Sequence, residues 1–474
     1  MSQSTTPKNV NLKVEVKTLL IKTTNTKGIK LIALLLAISI LLGSLVSCRF
    51  FTYIAEDKDE IQGNITSSIE GSDGNHDRVA DYLRDWGMPI FDKVKFEYFE
   101  ICFNKYFNLE SGMPDLKTHA ANTANLFLEE YYDVIDLNDK TAVTDALLSC
   151  YVYAIGDRYS IYRAPVETDN YNTDMSGKFG GIGVMVEYND ADESIMINTV
   201  YPGSPAEGAG VQVGDFIYAV DGKTVEELGY NNAVNHVRGE IGTTVELTLL
   251  RGEELITVSM VRSEVQEINV SYSFDEDSMI GYVEIVSFKT NTFEQFKEAI
   301  DALEEMGARG IIFDLRDNPG GYVSSVCDVI SYLIPTGKTI MSYQYKGSDP
   351  VVLYSEDDED GVDHVLEIPM VVICNQYTAS AGEIFTAAIR DYRNDGMMDA
   401  SIVGTVTYKK GIMQNTYYYI DESSVTITVA YYNPPCGVNY HGIGVTPDIL
   451  VENTAEADLQ LESAYNEILR LINK

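Results

Sequence analysis

Three short segments of the sequence carry residues whose types could act together. The first is Thr378-Ala379-Ser380-Ala381-Gly382-Glu383, where a serine stands between an apolar run and the start of a helical pattern. Ser380 with Glu383 three residues on is also a capping box, so the segment alone reads as a helix start. The two readings are compatible. A serine at a helix N-terminus lies beside free backbone N–H groups, and these can stabilise an oxyanion.

The second segment, Tyr408-Lys409-Lys410-Gly411-Ile412-Met413-Gln414, offers a base. In an extended chain Lys410, Ile412 and Gln414 share one face and Lys409 points away, unless Gly411 introduces a bulge. A lysine is a general base only when neutral, and at a pKa near 10.4 only about one in 2,500 is neutral at pH 7. Lowering that pKa by about three units takes roughly 4 kcal/mol of desolvation or like-charge repulsion, which apolar burial can supply. Gln414 suits as the group that orients the amine, because its carbonyl accepts a hydrogen bond without carrying charge. Taken alone, Lys410 is equally an exposed lysine on a hairpin. The third segment, Asp314-Leu315-Arg316-Asp317-Asn318-Pro319-Gly320-Gly321, puts proline and two glycines after a buried strand. That composition favours an open turn with exposed N–H groups, serving either as a plain connection or as a second oxyanion donor.

These segments belong to an alternation of strand and helix patterns. Strands are predicted at 280–286, 310–315 and 370–374, and helices at 292–306, 324–333, 383–390 and 455–474. The order β-α-β predicts an α/β core over 264–474, crossed by a solvated acidic loop at 355–363. Residues 178–263 read differently, as short strands such as 195–197 and 245–249 broken by Gly203, Gly210, Gly214 and Gly222. They predict a compact domain of their own. Residues 78–177 show helical spacing, with Phe96, Phe99, Phe103 and Tyr106 on one face and Ala142, Val143, Ala146 and Leu147 on another. The expected architecture is thus a multidomain α+β chain with a helical N-terminal cap and a mixed α/β core.

Charge narrows the function classes. The net charge of −38 makes polyanions poor partners and excludes nucleic-acid binding. The excess is uneven: residues 1–50 hold seven Lys/Arg and one acid, and the remainder is strongly acidic. Within the basic leader, residues 31–48 carry no formal charge, a length between a signal h-region and a spanning helix. The run closes on Leu45-Val46-Ser47-Cys48, which resembles a bacterial lipoprotein signal with Cys48 as the lipidated residue; an uncleaved anchor is the alternative. Either reading predicts a chain attached to the membrane and facing outside the cytoplasm. Residues 51–77 are polar and acidic and read as a solvated tether. The other five cysteines are scattered and odd in number, so mostly free, buried thiols are expected. The five histidines show no ligand spacing, so neither a metal nor another cofactor is expected.

In the order in which these motifs occur, the sequence resembles the C-terminal processing peptidases, or tail-specific proteases, from about Tyr131 to Val451. A PDZ domain is suggested by Gly180-Gly181-Ile182-Gly183-Val184, Val200-Tyr201-Pro202-Gly203-Ser204-Pro205-Ala206, Gly214-Asp215-Phe216-Ile217, and Val237-Arg238-Gly239 with Gly242-Thr243. The three segments above, followed by Gly444-Val445-Thr446-Pro447-Asp448, match the catalytic part. The resemblance implies a serine endopeptidase with Ser380 as nucleophile, Lys410 as base and Gln414 orienting it. The backbone N–H groups of Ala381 and of Gly320 or Gly321 would form the oxyanion hole. The loop Gly181-Ile182-Gly183 would take the free C-terminus of a peptide or protein substrate by strand addition. Oligomers are compatible with this reading. Two departures stand out: the family usually has serine where Gly382 stands, and glycine where Lys409 stands. An adjacent Lys409 could help to depress the pKa of Lys410. Two other function classes remain as alternatives, an inactive surface protein that only binds peptides, and a Ser-His-Asp hydrolase relying on His441.

Overall fold

The computed structural model describes residues 58–70, 76–189, 194–357 and 364–474. The leader, the uncharged run at 31–48 and Cys48 lie outside the described residues. Among the described residues no helix is long and apolar enough to cross a membrane.

Three five-residue strands, Gly310–Asp314, Met370–Cys374 and Ala400–Gly404, are buried at every position. Their near-continuous apolar sequences are what strands covered on both faces require. They form the middle of a six-stranded sheet in the order Val270–Asp275, Ile280–Ile285, Gly310–Asp314, Met370–Cys374, Ala400–Gly404, Ile449–Leu450. The first pair is antiparallel and every later pair parallel. Alternation splits the side chains between two cores. Ile312, Val371, Ile373 and Val403 pack with Ala464 and Ile468 of the closing helix Leu459–Ile472. Ile311, Phe313, Val372 and Ile402 join a larger core with the helices Thr292–Glu305, Val323–Ser331 and Ala381–Asn394.

A second sheet is built around the long strand Ser424–Asn433. It pairs with Ile412–Tyr418 along one edge, and with Ile161–Arg163 and Thr339–Tyr345 along the other. Residues on either side of the 178–263 region are thereby brought together. That region has its own antiparallel sheet, in the order Val184–Asn189, Ser194–Val200, Phe216–Val220, Thr244–Arg251, Glu254–Val261, around Ile195, Ile197, Val245, Leu247 and Leu249. The strands Lys178–Gly181 and Ser263–Gln266 pair at its base.

The N-terminal helices do not stand apart. Phe96, Phe99, Phe103, Phe127 and Tyr151 belong to the same continuous core as Phe313 and Phe385. The helices Lys93–Tyr106, Leu116–Glu130 and Lys140–Tyr153 each start on an aspartate, Asp92, Asp115 and Asp139, whose carboxylate accepts a first-turn N–H. The expectation of a solvated tether over 51–77 is overturned at Lys58–Glu70, which form a helix. Ile61 and Ile65, one turn apart, are fully buried in the main core, and Asn64 Nδ2 donates to the Trp86 carbonyl at 3.2 Å. Two apolar positions suffice to dock a helix whose other residues are nearly all polar. Cys102, Cys150, Cys327, Cys374 and Cys436 are free; Cys150 and Cys374 are buried, whereas Cys436 is exposed.

Candidate active site

Ser380 sits on a sharp turn between the strand Met370–Cys374 and the helix Ala381–Asn394, with φ 51° and ψ −114°. A non-glycine residue held there stores strain of order 1–3 kcal/mol, which neighbouring contacts must hold in place. The holding group is Glu383, fully buried. Its carboxylate accepts the Ser380 N–H at 3.0 Å, the Lys410 N–H at 2.8 Å, the Lys409 N–H at 2.8 Å and the Thr407 hydroxyl at 2.6 Å. Only half of the capping box therefore forms: Glu383 takes the Ser380 N–H, but the Ser380 hydroxyl does not cap the helix. Burial pushes the Glu383 carboxyl up, against four hydrogen bonds that favour its charged form.

From the other side, the Tyr432 hydroxyl donates to the Lys410 carbonyl at 2.6 Å and lies 3.4 Å from the Ser380 carbonyl. Tyr440 donates in turn to the Tyr432 oxygen at 3.0 Å. One carboxylate and one phenol thus tie together two segments thirty positions apart.

Burial brings the Lys410 amine down to about 8, with Asp157 and Glu383 pulling it up and Arg158 pushing it down. At that value about one amine in ten is neutral at pH 7, roughly 200-fold more than for a free lysine. The opposing cation is Arg158, not the neighbouring Lys409, which is exposed and holds φ 82°. Lys410 Nζ lies 4.9 Å from the ring centre of Tyr159, and no hydrogen bond joins it to Ser380 or Gln414. In this arrangement the Gln414 amide, to which the resemblance gives the role of orienting the amine, is engaged elsewhere. Its Nε2 donates to Thr428 Oγ1 at 3.2 Å, and Thr428 donates to Asp157 at 2.7 Å. The strand begins only at Ile412, and Lys410 precedes it beside a residue with φ 82°, so strand alternation does not extend back from Gln414 to Lys410.

Gly320 packs directly on the nucleophile turn: a Cβ there would come within 2.7 Å of Ser380 Cβ and 3.0 Å of the Ala381 nitrogen. Its N–H is donated to Asn318 Oδ1 at 2.8 Å in this arrangement. Gly321 and Ala381 keep N–H groups without a partner among the described residues, Ala381 because it opens its helix. A side chain at Gly382 would meet Thr378 Cγ2 at 3.1 Å and Asn318 Oδ1 at 3.4 Å, so the glycine allows close packing of the two turns. His441 Nδ1 accepts the Gly411 N–H at 3.3 Å and so supports the backbone of the base segment.

In the 178–263 region the Ile182 carbonyl accepts the Ala206 N–H, and the Gly183 carbonyl the Tyr201 N–H, both at 2.9 Å. Gly181 and Gly183 bracket Ile182, and Gly183 has φ 78° and lies against Ser204. The following strand, Val184–Asn189, is the edge of its sheet and open to a further strand. Elsewhere Asp301, Glu304 and His364 bring ligand-type atoms within 4.8 Å of one another. These atoms are already engaged, Glu304 with His364 at 3.1 Å and Asp301 with Lys297 at 3.2 Å.

Sequence reasoning missed Asp157, Arg158, Tyr159 and Tyr432. None lies in a motif, and the first three come from more than two hundred residues upstream of Lys410.

Residues 279–451 match peptidase family S41, and residues 196–251 match the PDZ domain. Over 324 residues the chain is 35% identical to the carboxy-terminal processing protease CtpA of Bacillus subtilis, covering 68% of this chain and 66% of that one. The chain belongs to peptidase family S41. This S41 chain is also 34% identical, over 306 residues, to a probable CtpA-like serine protease of Staphylococcus haemolyticus, covering 65% of this chain and 59% of the other. It spans about two thirds or less of the length of these relatives. Among solved structures, the photosystem II D1 C-terminal processing protease aligns over 80% of this chain and 96% of that one, at a TM-score of 0.44 and 23% identity.

Proposed function

We propose that the chain is a serine endopeptidase that cuts exported or envelope proteins near their C-termini. Ser380 is the nucleophile, Lys410 in its neutral form takes the hydroxyl proton, and the N–H groups of Ala381 and Gly321 stabilise the oxyanion. The observation that carries this reading is the joint hold of Glu383 on Ser380 and Lys410, with the amine brought down to about 8 by burial. In the resting arrangement the amine lies over Tyr159, so the lysine side chain turns toward Ser380 before proton transfer.

Substrates arrive through the PDZ domain. The open edge of Val184–Asn189 supports strand addition by an extended C-terminal tail, with its carboxylate at the loop of Gly181, Ile182 and Gly183. The basic leader, the uncharged run and Cys48 favour attachment to the membrane with the folded part outside the cytoplasm.

The test is hydrolysis of an unfolded protein by the purified full chain, beside Ser380→Ala and Lys410→Ala. The expected outcome is loss of turnover in both variants with peptide affinity kept. A chain that fails to cut while all three forms bind peptide equally would instead be a peptide-binding surface protein.

A further inference from the structure

Two cations converge on a single ring at the site. Lys410 Nζ lies 4.9 Å and the Arg158 guanidinium carbon 4.8 Å from the centre of Tyr159. Arg158 also donates to the Tyr159 hydroxyl at 2.6 Å and stacks on Tyr408 at 5.2 Å. Its guanidinium is therefore held between the ring beside the base and a ring two residues before it in sequence.

The loop carrying this pair is fixed from below. Asp157 accepts the hydroxyls of Ser160 at 2.6 Å and Thr428 at 2.7 Å, and the Tyr159 N–H at 3.1 Å. Ser160 Oγ accepts the Thr428 N–H at 3.1 Å, so the loop is riveted to the strand Ser424–Asn433 that pairs with the strand following the base.

We propose that Arg158 and Tyr159 are a positioning pair for the Lys410 amine, so that the N-terminal helical region supplies one wall of the base's pocket. This inference rests on the Ser380–Lys410 reading above.

The physical reason lies in the shared ring. An aromatic face attracts a cation and alone would favour the ammonium form of lysine. A guanidinium keeps its proton at every pH at which the protein is folded. With Arg158 on the same ring, the repulsion is relieved only when Lys410 loses its proton. The charged and titratable groups around the amine are Asp157, Arg158 and Tyr159 on the loop and Glu383 on the helix; Tyr432 and His441 meet only the segment's backbone. Two carboxylates pull the amine toward the charged form, and Arg158 is the only cation among these neighbours. The pair therefore does two jobs: the ring gives the amine a fixed resting place, and the guanidinium keeps part of it unprotonated.

The experiment compares kcat and KM against pH for the full chain and for Arg158→Gln, Tyr159→Phe and Tyr159→Leu, on fluorescein-labelled casein, with Ser380→Ala as blank. Arg158→Gln should move the rising limb of kcat/KM up by as much as about half a unit, so activity at pH 7 falls by up to about threefold. The plateau above the limb and KM should hold. Tyr159→Phe keeps the ring and should shift the limb less, whereas Tyr159→Leu should lower kcat by about tenfold or more on the plateau. Thermal melting of each variant separates this from misfolding, and Tyr159→Phe remains informative if Tyr159→Leu does not fold. Superimposed profiles for Arg158→Gln and the unaltered chain would overturn the inference while leaving the Ser-Lys reading intact. Undiminished cutting by Ser380→Ala would instead remove the reading on which the inference rests.

Discussion

Glu383 Oε2 accepts the backbone N–H of Lys410 at 2.8 Å, and the same oxygen accepts that of Ser380 at 3.0 Å. A single atom therefore sets the separation of two segments that the chain leaves thirty residues apart. All four of the carboxylate's partners are donors, so an acceptor-only side chain is required there.

Glu383→Gln places an amide NH2 against at least one of those donors. The expected cost is about 2–4 kcal/mol of stability, with kcat down by at least about 100-fold, because the turn loses its clamp. Denaturant midpoints and turnover on the same preparation check both numbers. Retained turnover with lowered stability would show that the clamp serves folding alone.

Lys410 at about 8 fixes the sign of the pH response. In the proposed mechanism Lys410 acts unprotonated, so kcat/KM should rise about tenfold per pH unit below that value and level off above it. A profile flat from pH 6 to 9 would contradict the assignment.

The same amine carries a folding cost. Its value in the folded chain is below that of the unfolded chain, so between about 8 and 10.5 the unfolded state binds the extra proton. The cost is therefore full below about 8 and fades as pH climbs toward 10.5. Lys410→Met should be inactive yet more stable at pH 7, by about 1–3 kcal/mol, with the advantage shrinking toward pH 10. Melting temperatures across that range give the measurement.

Gly320→Ala should abolish turnover while leaving peptide binding intact. Its Cβ would collide with Ser380 Cβ at 2.7 Å, and φ 104° is foreign to alanine. A loss of about 100-fold or more in kcat with unchanged KM is expected, since displacing the proposed nucleophile by a fraction of an ångström removes alignment.

Lys409→Gly should stabilise the protein by about 0.5–1.5 kcal/mol, because φ 82° costs a lysine more than the extra freedom of unfolded glycine takes back. Chemical denaturation of the two chains tests this directly.

What could be read from the sequence followed from how locally each feature is encoded. The strands Gly310–Asp314 and Met370–Cys374 announce themselves as unbroken apolar runs, and the helix Thr292–Glu305 by its spacing. Ser380 and Lys410 stood out because a serine beside a helix start and a lysine are the right chemical types. The parity expected between Lys410 and Gln414 fails because the strand reaches back only to Ile412, and the φ of 82° at Lys409 cannot be seen in residue types. Arg158 and Tyr159 reach the site through the pairing of Ile161–Arg163 with Ser424–Asn433, a contact between segments about 260 residues apart that no local pattern records. The helix Lys58–Glu70 was hidden because three isoleucines, two of them buried, among polar neighbours barely raise the average hydropathy.

That docked helix also sets a length. Ten positions separate Cys48 from Lys58, and a chain of ten residues stretches to at most about 35 Å. Were the cysteine fastened to lipid, the enzyme would be kept on a short leash, able to patrol only a thin layer above the bilayer. Proteins whose loose ends hang close to the membrane would then meet it far more often than those diffusing freely beyond.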